Sequence, residues 1–198
     1  MGLLLGLVVL AAAPGQHESI RGFRAAMAVG ALAVALCAAL ATRDILDAWA
    51  NCLLGWVLLA LAWIDARHLR LPDALTLPLL LAGLCAAWLL EPWLLTERAI
   101  GAIAGYQAFR LIGWGYAAWR GHAGLGQGDA KLLAAGGAWV GWEALSWVVL
   151  LAALAGIAWA GLQAMRGERL TSRSHLPFGP FLALGIWTVR IAQVWIRA

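Results

Sequence analysis

Residues Ala48–Asp65 read AWANCLLGWVLLALAWID. From Ala48 to Ile64 the only strongly polar side chain is Asn51, and the run ends on a carboxylate. A bilayer core needs about 20 mostly apolar residues per helix, with a range of roughly 17–25. The stretch is long enough to span. Working outward, runs of the same kind predict membrane helices at 25–41, 74–90, 99–119, 145–163 and 176–195 as well as 48–64. Two further apolar runs, Gly2–Ala13 and Leu132–Gly141, are short. The first has no basic residue ahead of it and fits a secretory signal peptide poorly, so it reads as a short or tilted helix.

Composition points the same way. Of 198 residues, 64% are hydrophobic and 12% charged, against about 45–50% and 25% in an ordinary soluble domain. A chain of this size cannot bury so much apolar surface in one water-soluble core, and disorder is excluded with it. The net charge of +4 does not indicate nucleic acid, because the basic residues sit in short loops between apolar runs. Counting both short runs gives an all-α, polytopic bundle of eight crossings: six long, two short. Residues 1–198 then form a single integral-membrane domain with lipid around it. One side receives Arg21, Arg24, Arg67, Arg70, Arg120, Lys131, Arg166, Arg169 and Arg173; the other receives Arg43, Arg98 and Arg197. Basic residues favour the cytoplasm, so the first side is expected there and both chain ends outside it. Without Leu132–Gly141 as a crossing, Arg166, Arg169 and Arg173 would fall on the disfavoured side.

Small residues are dense at Gly101–Gly105 and Ala134–Ala138, which lets membrane helices approach closely. Trp139, Trp142 and Trp147 are expected at a membrane interface, where indoles suit the boundary. Cys37, Cys52 and Cys85 lie in apolar runs without a CxxC pair and read as small hydrophobes. His17, His68, His122 and His175 share the predicted cytoplasmic side, but their spacing supports no metal site.

Charges beside apolar segments are functional candidates. Asp44, Asp47, Glu91, Glu97 and Glu143 are expected to be solvated at the non-cytoplasmic side, and Glu18 and Glu168 to lie beside cytoplasmic arginines. Asp73 follows Pro72 and reads as a first-turn carboxylate at the positive end of a helix. Asp65 and Asp129 differ. Asp65 terminates an apolar run, and Asp129 sits in Gly124–Lys131, GLGQGDAK, directly before another. Both are predicted at one depth on one face. A lone Asp at a helix end is ordinarily a cap. Two carboxyls held together at the edge of a low dielectric cannot both ionise easily, so they share a proton. One can then act as base and the other as acid on a water attacking an amide, with neither metal nor covalent intermediate. Lys131 either tunes Asp129, meets the substrate backbone, or snorkels to the surface. Arg110 lies inside a predicted helix and must pair or snorkel; Arg190, nearer a helix end, is expected to snorkel. Pro177 is placed where a helix can begin, or in an unwound stretch lining the site.

Three blocks carry a family resemblance. Ile64–Pro78, IDARHLRLPDALTLP, resembles the first aspartate block of bacterial type IV prepilin peptidases. Gly124–Ala135 with Gly137–Trp142 is similar to their second, GxGD block, and Leu176–Ala183, LPFGPFLA, to a segment near their C-terminus. The resemblance implies a multi-pass aspartyl endopeptidase of the bacterial inner membrane. It would remove the short basic leader from type IV prepilins or type II secretion pseudopilins at the cytoplasmic face. Carried over, Asp65 and Asp129 are the catalytic pair, and Gly126 and Gly128 shape the loop presenting Asp129. No cofactor is implied for proteolysis. Fuller members also methylate the new N-terminus with S-adenosylmethionine and carry a zinc-binding CxxC insert. Here Pro14–Arg24 stands in its place without cysteine, which puts methylation in doubt, and Gly121–His122 stand where some relatives have a basic and then an acidic residue. Two other classes remain open: an inactive scaffold or transporter, and a relative retaining only methylation. Oligomeric state and the individual substrate are not legible.

Overall fold

The computed structural model describes residues 20–42, 44–121, 126–166 and 177–197. These form α1 (Ile20–Ala41), α2 (Ile45–His68), α3 (Asp73–Leu90), a 3₁₀ turn (Pro92–Leu94), α4 (Leu95–Arg120), α5 (Gln127–Val140), α6 (Leu145–Met165) and α7 (Gly179–Arg197). There is no strand among the described residues. Gly2–Ala13, most of Pro14–Arg24, His17, Glu18, Arg43, His122, Gly124, Glu168, Arg169, Arg173, His175 and Leu176 lie outside them.

The helices follow the apolar runs. Four of them, α2, α3, α6 and α7, are long and apolar enough to cross a membrane, and Ala28–Ala41 is a shorter apolar helix. The expected short crossing Leu132–Gly141 is the greater part of α5, whose 14 residues are shorter than a span. Its apolar side chains are enclosed by protein: every residue from Leu132 to Val140 is buried.

Several helix ends match the expected ones within two residues, while others depart by up to about a turn, and those departures matter for the site. Helix α2 continues past Ile64 to His68, so Asp65 lies within its last turn. It stops at Leu69, which takes the left-handed conformation (φ 51°) while its N–H donates to the Asp65 carbonyl at 2.8 Å. That conformation is strained for a residue with a Cβ. Pro72, with its fixed φ, then precedes α3. Helix α5 starts at Gln127, before the apolar run, and carries Asp129 in its first turn.

Helix α5 is the hub. It packs against α3, α4 and α7 and touches α6, while α7 also packs on α2 and α6. The small-residue stretches make the α4–α5 contact nearly backbone to backbone: a Cβ at Gly137 would stand 2.2 Å from the Gly101 carbonyl oxygen. Trp139 is not at an interface. It is buried between α5 and α3, its indole N–H donating to the Leu79 carbonyl at 2.9 Å. Trp142 and Trp147 are exposed, and so is Cys85.

At the end of the bundle marked by Asp47 and Glu91, charges expected in solvent form a network instead. Arg190 does not snorkel; it is 2% exposed. Its Nε donates to Asn51 Oδ1 at 2.9 Å and its Nη2 to Asp47 Oδ1 at 3.2 Å, with Nη1 at 3.7 Å from Glu91. Glu91 also pairs with the buried Arg98, and with Arg197 at 2.6 Å. The physical reason is packing. Small residues draw the helices together before a side chain from the middle of α7 can reach the surface, so carboxylates must come to the arginine. Arg110, by contrast, is exposed.

Candidate functional site

At the opposite end of α2 the structure opens a cavity of about 900 Å3. It is walled by the last turn of α2, the Leu69–Pro72 linker, the first residue of α3 and the start of α5. Both Asp65 and Asp129 line it, as do Gly126, Gly128 and Lys131, so all five expected site residues converge.

Each carboxylate is held at the start of a helix. Those N–H groups have no partner within their own helix and suit an anion. Asp65, 6% exposed, accepts the N–H of Gly179, the first residue of α7, at 2.9 Å. Asp129, three residues into α5 from its N-cap, accepts the N–H of Gly126, the backbone half of a capping box. At Gly179 and Gly128 a side chain could enter only by displacing its neighbour, and at Gly126 it would crowd Asp129. A Cβ on Gly179 would fall 2.6 Å from Asp65 Oδ2, one on Gly126 3.1 Å from Asp129 Oδ2, and one on Gly128 2.9 Å from Leu71 Cβ.

The two acids sense each other. Burial, and then the charge of Asp65, push the Asp129 carboxyl up to about 6, with the Gly126 N–H opposing. A carboxyl in that range keeps its proton up to about pH 6, well above an ordinary carboxyl, beside a partner that can be ionised.

Lys131 does not reach toward Asp129. Its Nζ sits 2.6 Å from both carboxylate oxygens of Asp73, joining α5 to α3 across the cavity wall. Asp73 is therefore an ion-pair partner and not merely a helix-end charge. Gly179 was not foreseen as a site residue, because a backbone N–H leaves no side-chain signature. The available signal was its place between Phe178 and Pro180. Phe178 packs on Phe109 of α4, and its carbonyl accepts the Leu182 N–H. Pro180 occupies the first turn, where it sacrifices no helical bond. Helix α7 thus begins at Gly179 and not at Pro177; Pro177–Phe178 is unwound, but neither residue is among those lining the cavity. Among the described residues no three His, Cys, Asp or Glu side chains are grouped to hold a metal ion.

Residues 52–161 match the type IV leader peptidase family. The chain is similar to the "Prepilin leader peptidase/N-methyltransferase" of Burkholderia pseudomallei, 53% identical over 128 residues, covering 65% of this chain and 41% of that protein. The proteins of the same name from Aeromonas hydrophila and Pseudomonas aeruginosa are 44% and 42% identical over 72% and 75% of this chain, covering 48% and 50% of theirs. The chain thus spans about half the length or less of these curated relatives. No solved structure matches it significantly. Asp65 and Asp129 fall within the matched region, and Gly179 lies beyond it.

Proposed function

Because this chain belongs to the type IV leader peptidase family, and is a multi-pass membrane protein by its apolar helices, we propose that it is an aspartyl endopeptidase. It removes the leader from type IV prepilins or type II secretion pseudopilins. Asp65 and Asp129 are its acid–base pair. The supporting observation is their convergence: two carboxylates far apart in sequence line one cavity, each fixed by a glycine N–H, with burial and then the like charge of Asp65 raising the proton affinity of Asp129.

In the proposed reaction a water lies between the pair. The ionised carboxylate takes its proton as the oxygen attacks the scissile carbonyl carbon. The protonated carboxyl gives its proton to the carbonyl oxygen. Collapse of the gem-diol adduct breaks the C–N bond: the carboxyl that took the water's proton gives it to the leaving amine, while one hydroxyl of the adduct returns its proton to the other carboxylate, so the pair again holds a single proton. The glycine N–H groups hold the carboxylates and take no part in bond making.

The proposed setting is the bacterial inner membrane, in an eight-crossing topology with the cavity facing the cytoplasm, as the arginine-rich loops favour. The curated relatives' names add N-methyltransferase. Among the described residues that line the cavity there is no Phe, Tyr or Trp, and no methyl step is derived.

The test is to incubate purified protein in detergent with a prepilin and follow its mass. Loss of the leader by the parent chain, absent in Asp65→Asn and Asp129→Asn, is expected. An intact prepilin with all three would overturn the proposal in favour of a scaffold or transporter. A methyl gain without cleavage would favour the methylation-only reading.

A further inference from the structure

The two candidate carboxylates belong to segments that share no covalent neighbour, yet chemistry on one water requires them to keep a fixed separation. A closed path joins them. From Asp65 the chain runs through the strained turn at Leu69 and the four-residue linker to Asp73. From Asp73 an ion pair crosses to Lys131, both oxygens at 2.6 Å from Nζ. From Lys131 it is two residues back to Asp129. A second tie lies beside the first: Leu71 rests on Gly128, where a side chain would leave only 2.9 Å. Asp65, Asp73, Asp129 and Lys131 all line the same cavity.

We propose that the Asp73–Lys131 ion pair is a strap across the cavity wall that sets the position of Asp129 relative to Asp65, which makes Asp73 and Lys131 positioning residues. This rests on the cavity being the peptidase site. Stability alone does not explain the pair: Asp73 is 55% and Lys131 28% exposed, and exposed ion pairs add little to folding. What the pair does fix is geometry. It anchors the first turn of α3 to α5 within two residues of Asp129.

A different role for Lys131, direct electrostatic tuning of Asp129, makes opposite demands. Losing Lys131 would then raise the pH range of activity, and losing Asp73, which frees the ammonium, would lower it. Under the strap, both losses act alike.

The experiment compares parent, Asp73→Asn, Lys131→Gln, the double variant and Lys131→Arg, each purified as the full chain in detergent, with Asp129→Asn as the inactive reference. Leader removal from a prepilin gives kcat and KM across pH. Hydrogen exchange of residues 69–72 and 126–129 is measured without substrate. Each single variant is expected to lose about tenfold in kcat with KM little changed. The double is expected to lose no more than either single, and Lys131→Arg to recover most of the rate. Exchange should quicken in both singles. Unchanged exchange, multiplicative losses in the double, or pH profiles displaced in opposite directions would overturn the strap. A parent that leaves the prepilin intact would overturn the peptidase reading instead, and the exchange data would still decide whether the strap exists.

Discussion

Helices α2 and α7 meet polar groups at both ends, and the two ends follow opposite rules. At one end Asp47, Asn51 and Glu91 face Arg98, Arg190 and Arg197, so every carboxylate in the network answers a guanidinium. Toward the other end of α2, 14 residues from Asn51 or about 21 Å at 1.5 Å per residue, Asp65 and Asp129 face a 900 Å3 cavity. There the charges are alike, and Gly179 and Gly126 supply N–H groups instead of countercharges. Buried charges that are compensated hold helices together. Buried charges left uncompensated beside open space are where proton transfer becomes possible.

Substitutions should separate the two ends. The largest effect belongs to the cavity: Asp65→Asn and Asp129→Asn are expected to lower leader cleavage by roughly 10²–10⁴-fold, with no loss of thermal stability in detergent. Arg190→Met should do the reverse. Stranding Asp47 and Asn51 is expected to cost about 3–5 kcal/mol of stability, read by thermal unfolding, while cleavage per folded molecule persists.

The pH dependence of stability sharpens the contrast. Asp129 is raised from 3.8 to about 6, so the folded chain holds that proton more tightly than the unfolded one. Its contribution is fully present below about pH 3.8 and is lost as pH rises through about 6. Asp129→Asn should therefore melt above the parent at pH 8, by at most about 3 kcal/mol, and level with it near pH 4. An equal difference at both pH values would remove the burial penalty from the site. Smaller again is Gly179→Ala. The added methyl carbon would press on Asp65 Oδ2 from 2.6 Å, and displacing that carboxylate is expected to slow cleavage by about 10–100-fold with KM near the parent value.

Much of this was legible in the sequence, for reasons that are local. A run such as Leu58–Ile64 announces a helix by length and composition alone. Asp65 and Asp129 stood out because a carboxylate joined directly to an apolar run costs free energy unless it has a task or a partner. What was missed depends on neighbours distant in the chain. Arg190 was expected to snorkel because nothing in α7 shows that Asn51 and Asp47 wait 139 and 143 residues away. For Lys131 the sequence offers Asp129, the substrate backbone or the membrane surface, whereas its partner Asp73 lies 58 residues off. Trp139 was assigned to an interface by residue type, yet the Leu79 carbonyl that satisfies its indole is supplied by another helix. Gly179 acts through its backbone, which composition cannot register.

The most direct test of a proton shared between Asp65 and Asp129 is the pH dependence of kcat/KM for leader removal from pH 4 to 9. A bell is expected. Its acid limb falls where both carboxyls hold protons and no base remains, and its alkaline limb, near pH 6, falls where both are ionised and no acid remains; the two limbs belong to the pair. A rate that climbs steadily through pH 8 would contradict it, and would assign the cleavage to some other group.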